Sequence, residues 1–166
     1  MDNQSMMKKI LLAVLGVFFL TGLCFAQNYY ALVKVVMTNS SGLVFSMNTV
    51  TKVTNQEACA KVLSPMNQLK DQYQVMTECV TGPEWEKLFA DMFANKPTGS
   101  LYISYKDIDG YETRINNKVL AGRKSPYTGS YVNPPIKEVI LWASSIVGEL
   151  EKGGIKNARI IYPAKK

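Results

Sequence analysis

The chain has 166 residues, of which 47% are hydrophobic and 19% charged, so it is neither a wholly disordered chain nor a membrane protein of many spans. It contains 19 lysines and arginines and 13 aspartates and glutamates, which gives a formal net charge of +6. It has no histidine, which excludes His–Ser and His–Cys catalytic pairs and histidine-ligated metal sites within the chain.

Residues 1–26 have the pattern of a secretory signal peptide. A lysine pair precedes an uncharged apolar segment at 10–26, and the small residues Cys24 and Ala26 fit the peptidase pockets before the cleaved bond. We therefore predict cleavage after Ala26 and a single exported domain of residues 27–166, periplasmic or secreted.

Two alternatives stay open for this segment. As a helix, residues 10–26 are about 25 Å long, slightly less than the ~30 Å hydrocarbon core, so an uncut segment would be a short membrane anchor. Cys24 would be lipidated in a lipoprotein, although such signals need a small residue where Leu23 stands.

Cys59 and Cys79 are the two cysteines that remain after cleavage. An even number of cysteines in an exported chain is typical of a disulfide, and a chain that reverses near Tyr73 brings both sulfurs to a similar height. The spacing is too wide for a Cys-x-x-Cys redox pair. We predict a structural Cys59–Cys79 disulfide.

The first half of the domain has the pattern of two strands, a helix and a third strand. Alternating and β-branched residues predict the strands, Thr54 and Glu57 have capping-box spacing, and Pro65 interrupts the helix. The expected bounds are 29–39 and 43–53 for a hairpin, 54–72 for the helix and 74–80 for the third strand.

A second helix is predicted to begin at the capping box of Thr81 and Glu84, with Pro83 in its first turn. Its apolar residues recur at helical spacing, which predicts a face packed in the core, with a partner groove as the alternative. They are Trp85, Leu88, Phe89, Met92 and Phe93.

The second half repeats the order of the first. An Asp109-Gly110 hairpin turn joins two strands, 117–133 lacks a regular pattern, and a helix and a strand follow. The order ββαβ, a helix, then ββαβ predicts an α+β fold, a mainly antiparallel sheet with helices packed on one face. An internal duplication would explain the repeat. The expected bounds are 100–108, 111–117, 134–152 and 155–163.

No constellation of residues predicts catalysis, a metal site or a cofactor. Residues 107–112 resemble part of a calcium loop but lack its later ligands, and a hairpin turn explains them. Two pairs of carboxylates leave a small hydrolase as a further alternative. They are Glu84 with Glu86 and Glu149 with Glu151.

Residues 113–137 are the candidate binding segment. They contain no acidic residue and are expected to form a long connection, which is either functional or a solvated flexible loop. Arginine and lysine bind anions, and tyrosine stacks on sugars or on a partner surface. The candidate binding residues are Arg114, Lys118, Arg123, Lys124, Tyr127 and Tyr131.

These patterns favour a non-catalytic exported binding or adaptor protein, whose ligand is a protein or an anionic envelope polymer. The basic patch is too small to indicate nucleic acid. The alternatives are a structural or assembly component of an envelope complex, anchored by residues 10–26, and a hydrolase that uses acidic residues. The sequence leaves the ligand and the oligomeric state open.

Overall fold

A computed structural model describes residues 27–38, 44–70, 73–121, 123–124, 131–132 and 136–164. For residues 118–121, 123–124 and 131–132, the structure describes the backbone and not the side chains. The predicted signal peptide and Tyr127 of the candidate binding segment lie outside the described residues.

The described part of the chain contains eight strands and three helices, which confirms the α+β class. The order follows the prediction, with two short strands added before the last helix. The elements are β1 (Tyr29–Thr38), β2 (Val44–Val53), α1 (Gln56–Asn67), β3 (Gln74–Thr81), α2 (Pro83–Phe93), β4 (Tyr102–Lys106), β5 (Glu112–Ala121), β6 (Arg123–Lys124), β7 (Tyr131–Val132), α3 (Ile136–Lys152) and β8 (Arg159–Ile161).

Six strands form one antiparallel sheet in the order β3-β1-β2-β5-β4-β8. The first half, β1-β2-α1-β3, and the second half, β4-β5-α3-β8, have the same topology, because in each the third strand pairs with the first. The halves meet where β2 pairs with β5, and α2 connects them. An internal duplication would produce this arrangement.

The helices lie on both faces of the sheet. Alternate residues of β1 pack against Leu63 of α1, and on the same face Ile103 packs with Ala143 of α3. On the opposite face, the rings of Tyr30 in β1 and Phe89 in α2 lie 5.1 Å apart. The expectation that all helices share one face is therefore wrong for α2. Because β1 is apolar at both odd and even positions, both of its faces require a cover.

The N-terminal caps of α1 and α2 both differ from the prediction. Asn55, and not Thr54, caps α1, because its Oδ1 accepts a 2.8 Å hydrogen bond from the amide of Ala58. The N-cap residue of α2 is Gly82, so this helix has no side-chain cap. The φ of Gly82 is 126°, a backbone conformation that glycine adopts without steric cost. Thr81 instead donates to the carbonyl of Asn28 at 2.9 Å.

The chain after residue 117 is more regular than predicted. β5 continues to Ala121 because its partner β2 is a ten-residue strand and offers pairing as far as Val44. β6 and β7 then form a two-stranded ribbon, in which Lys124 lies opposite Tyr131. The candidate binding segment therefore begins inside the sheet and continues into this ribbon.

Cys59 of α1 and Cys79 of β3 form the predicted disulfide, with their Cα atoms 6.1 Å apart. α1 runs back along the sheet face beside β3, so the two sulfurs meet as the reversal near Tyr73 implies. A disulfide of this kind is typical of proteins that fold in an oxidising compartment.

Candidate functional site

A groove beside α2 forms a concave site with a volume of about 530 Å³. Since α2 covers one end of the sheet face, the central strands remain open next to it. The groove is lined by residues of β1, β2, β3, β5 and α2: Leu32, Lys34, Ser46, Asn48, Val50, Met76, Glu78, Phe89, Met92 and Asn116.

The apolar wall of the groove is formed where α2 packs on the sheet. Phe89 is buried and Met92 half-buried, and they contact the apolar cluster that includes Leu32 and Val50. The apolar face of α2 thus contributes residues both to the core and to the groove wall. Leu88 lies one turn before Met92 on α2 and is 65% exposed.

The floor of the groove is polar. Asn48 in β2 lies opposite Asn116 in β5, and Lys34 in β1 lies opposite Asn48. The Asn48 amide donates to Oγ of Ser46 at 3.1 Å. Oδ1 of Asn116 is buried and has no hydrogen-bond partner among the described residues.

Lys34 and Glu78 bring opposite charges to the groove. Lys34 is half-buried on the floor, and Glu78 is exposed at the β3 rim. Neither residue takes part in an ion pair with another residue that the structure describes. A lysine on the groove floor without such a partner favours an anionic group beside it.

Arg114 is 2% exposed, so it is a buried residue of β5 and not part of an exposed loop. Its guanidinium donates to the carbonyls of Met92 and Phe93 at 3.1 and 3.3 Å. These carbonyls end α2, so the cation offsets the negative end of the helix dipole. Burial lowers the pKa of Arg114, and Glu112 at 3.9 Å opposes this shift. Arg114 therefore holds the end of α2 in place, and α2 forms one wall of the groove.

Of the other predicted binding residues, the backbone places Lys118 next to the groove lining. Lys118 lies two residues beyond Asn116 in β5 and opposite Ser46 of β2. Arg123 and Lys124 form β6, and Tyr131 lies in β7. β5 thus connects Lys118 to the groove lining.

The acidic residues of the predicted alternatives lie elsewhere. Asp107 accepts hydrogen bonds from the amides of Asp109 and Tyr111 at 3.0 and 2.8 Å, which confirms the hairpin turn. Glu149 pairs with Lys152 at 2.7 Å, and Glu86 accepts from Asn28 at 2.6 Å. The described residues contain no group of three or more acidic or cysteine side chains suited to a metal ion.

Sequence reasoning missed Lys34, Asn48 and Asn116. Each lies in a strand that β-propensity predicts, and the polar floor forms only when three strands bring these residues into one row. The signal that was available is the lysine inside the apolar segment Leu32–Val36, since a central strand rarely tolerates an unpaired charge.

A comparison with protein-family models, with curated proteins and with solved structures found no match in any of the three. Among the described residues, no helix has the length and apolar character needed to cross a bilayer.

Proposed function

We propose that this protein is an exported binding protein that holds an amphipathic anionic ligand in the groove beside α2. The apolar part of the ligand lies against Leu32, Val50 and Met92, and its acidic group lies near Lys34. The observation that carries the proposal is the half-buried Lys34 in a groove of about 530 Å³, which is within the size range of small-molecule sites.

The basic segment extends this site in the proposal. β5 leads from Asn116 to Lys118, and the basic residues Arg123 and Lys124 follow in the chain as β6. They would attract the anionic part of a larger ligand, such as an envelope polymer.

Export is supported by the signal-like pattern of residues 1–26 and by the disulfide between Cys59 and Cys79. The intact mass of the protein from its host tests this part. A chain that starts at Gln27 is expected, and a full-length chain would instead favour the membrane-anchored alternative.

Binding is tested with dodecanoate and with dodecylamine, which share an apolar tail and carry opposite charges. Calorimetric titration is expected to show binding of dodecanoate in preference to dodecylamine. Lys34→Gln should weaken dodecanoate about tenfold, because a charge-assisted contact is lost.

Lys87→Gln is the matched control, since Lys87 is an exposed lysine of α2 outside the groove lining. It should leave the affinity unchanged. Absence of dodecanoate binding, or an equal loss in both variants, would contradict the proposed site.

A further inference from the structure

β3 forms one edge of the six-stranded sheet, and no described strand pairs with its outer side. Its eight residues pair with β1 in continuous register, from Gln74 opposite Val36 to Thr81 opposite Tyr29. In an antiparallel strand every second residue directs its N–H and C=O groups away from the paired neighbour. A straight edge of this length is a template for another strand.

The sequence protects the opposite edge of the sheet and leaves β3 open. β8 has three residues and is followed by Pro163, which has no amide to donate. β3 contains no proline, lysine or arginine, and Glu78 is its single charged residue. Met76 in the middle of β3 is 64% exposed. Since β3 and β8 hold equivalent positions in the two halves, the difference lies in the sequence and not in the topology.

We propose that β3 pairs with β3 of a second copy of this chain and joins two sheets into a symmetric antiparallel dimer. This interface shares Lys34, Met76 and Glu78 with the groove lining, but it needs no ligand in the groove in order to form. Its twofold axis is perpendicular to the sheet, so residues of the same face must lie opposite each other, and the axis must pass midway between one residue and its own copy.

The sequence of β3 selects the position of that axis. An axis at Thr77 pairs residues 74–80 of both copies, with Thr77 opposite itself and Met76 opposite Glu78 of the second copy. An axis at Glu78 pairs residues 75–81 but sets two glutamates opposite each other, which is destabilising. Axes nearer either end of the strand pair fewer residues. The register centred on Thr77 is therefore the best available.

Charge and side-chain chemistry favour a second copy as the occupant of this edge. In the Thr77 register, Lys34 of one copy, Met76, and Glu78 of the second copy form one row across the interface. Lys34 and that glutamate are then two strands apart, about 10 Å, which is close to one Debye length.

The test is sedimentation velocity of the protein as isolated from its host, over a wide range of concentration. A monomer–dimer equilibrium is expected. Met76→Lys sets a cation opposite Glu78 of the second copy and should lower the dissociation constant about tenfold, whereas Met76→Glu should raise it about tenfold. The double variant Met76→Glu, Glu78→Lys should restore dimerisation.

Leu88→Glu is the control, because Leu88 is 65% exposed, much like Met76, but lies on α2. It should leave the equilibrium unchanged. A protein that stays monomeric at the highest concentration overturns the proposal. So does a dimer that responds in the same way to Met76→Lys and Met76→Glu, or one that Leu88→Glu dissociates.

Discussion

Arg114 shows how a single buried side chain sets the position of a whole element. The sequence marks it as one cation of a basic segment, and its neighbours alone do not distinguish a ligand contact from a helix cap. The strand register decides, because it points Arg114 toward the side of the sheet where α2 ends. A residue that attracts an anionic ligand on the surface thus holds helix carbonyls in the interior.

The substitution Arg114→Met should lower the free energy of unfolding by about 2–4 kcal/mol, since it removes the buried guanidinium that donates to the carbonyls of Met92 and Phe93. Urea denaturation measures the loss. Arg159→Met is the control, because Arg159 is exposed nearby in β8, and it should change stability by less than about 0.5 kcal/mol. Equal losses in both variants would contradict the capping role.

At the scale of elements, α1 and β3 depend on each other. α1 packs on β1 and covers one side of β3, and Asn67 at its end accepts a 2.8 Å hydrogen bond from Thr77. The Cys59–Cys79 disulfide fixes this contact near the other end of the strand. An edge strand has a paired neighbour on one side, so the covalent link to α1 replaces part of the missing support.

The double variant Cys59→Ala, Cys79→Ala should lose about 3 kcal/mol of stability, because the disulfide closes a chain segment of 20 residues and restricts the unfolded chain. Urea denaturation of the variant gives this value. Wild-type protein under reducing conditions should lose a similar amount. A variant as stable as the oxidised wild type would contradict the expectation.

At the scale of the whole molecule, the burial of tyrosine side chains makes the free energy of unfolding depend on pH. Burial raises the pKa of Tyr30, Tyr102 and Tyr105 above the ordinary value of 10.0. The unfolded chain therefore loses these protons first as the pH rises, and folding becomes less favourable. The chain has no histidine that would titrate near neutral pH.

The free energy of unfolding should therefore fall as the pH rises above about 10. Urea denaturation at increasing pH measures the slope, and absorbance of the phenolate follows the ionisation. Tyr30→Phe should make the slope shallower, whereas Tyr73→Phe should not, because Tyr73 is 52% exposed. A slope that is the same in all three proteins would contradict the assignment to buried tyrosines.

The sequence by itself determined the class of the fold, the order of the elements, the Asp109-Gly110 turn and the Cys59–Cys79 pairing. These depend on local spacing, on turn chemistry and on counting cysteines, all of which are readable without knowing which strands become neighbours.

Only the tertiary structure decided which face α2 covers, where Arg114 points and which polar residues share the groove floor. Each of these depends on strand register, which places residues distant in sequence, such as Lys34, Asn48 and Asn116, in one row. The pattern of a single strand contains no information about its partners, so the candidate site became visible only once the sheet was assembled.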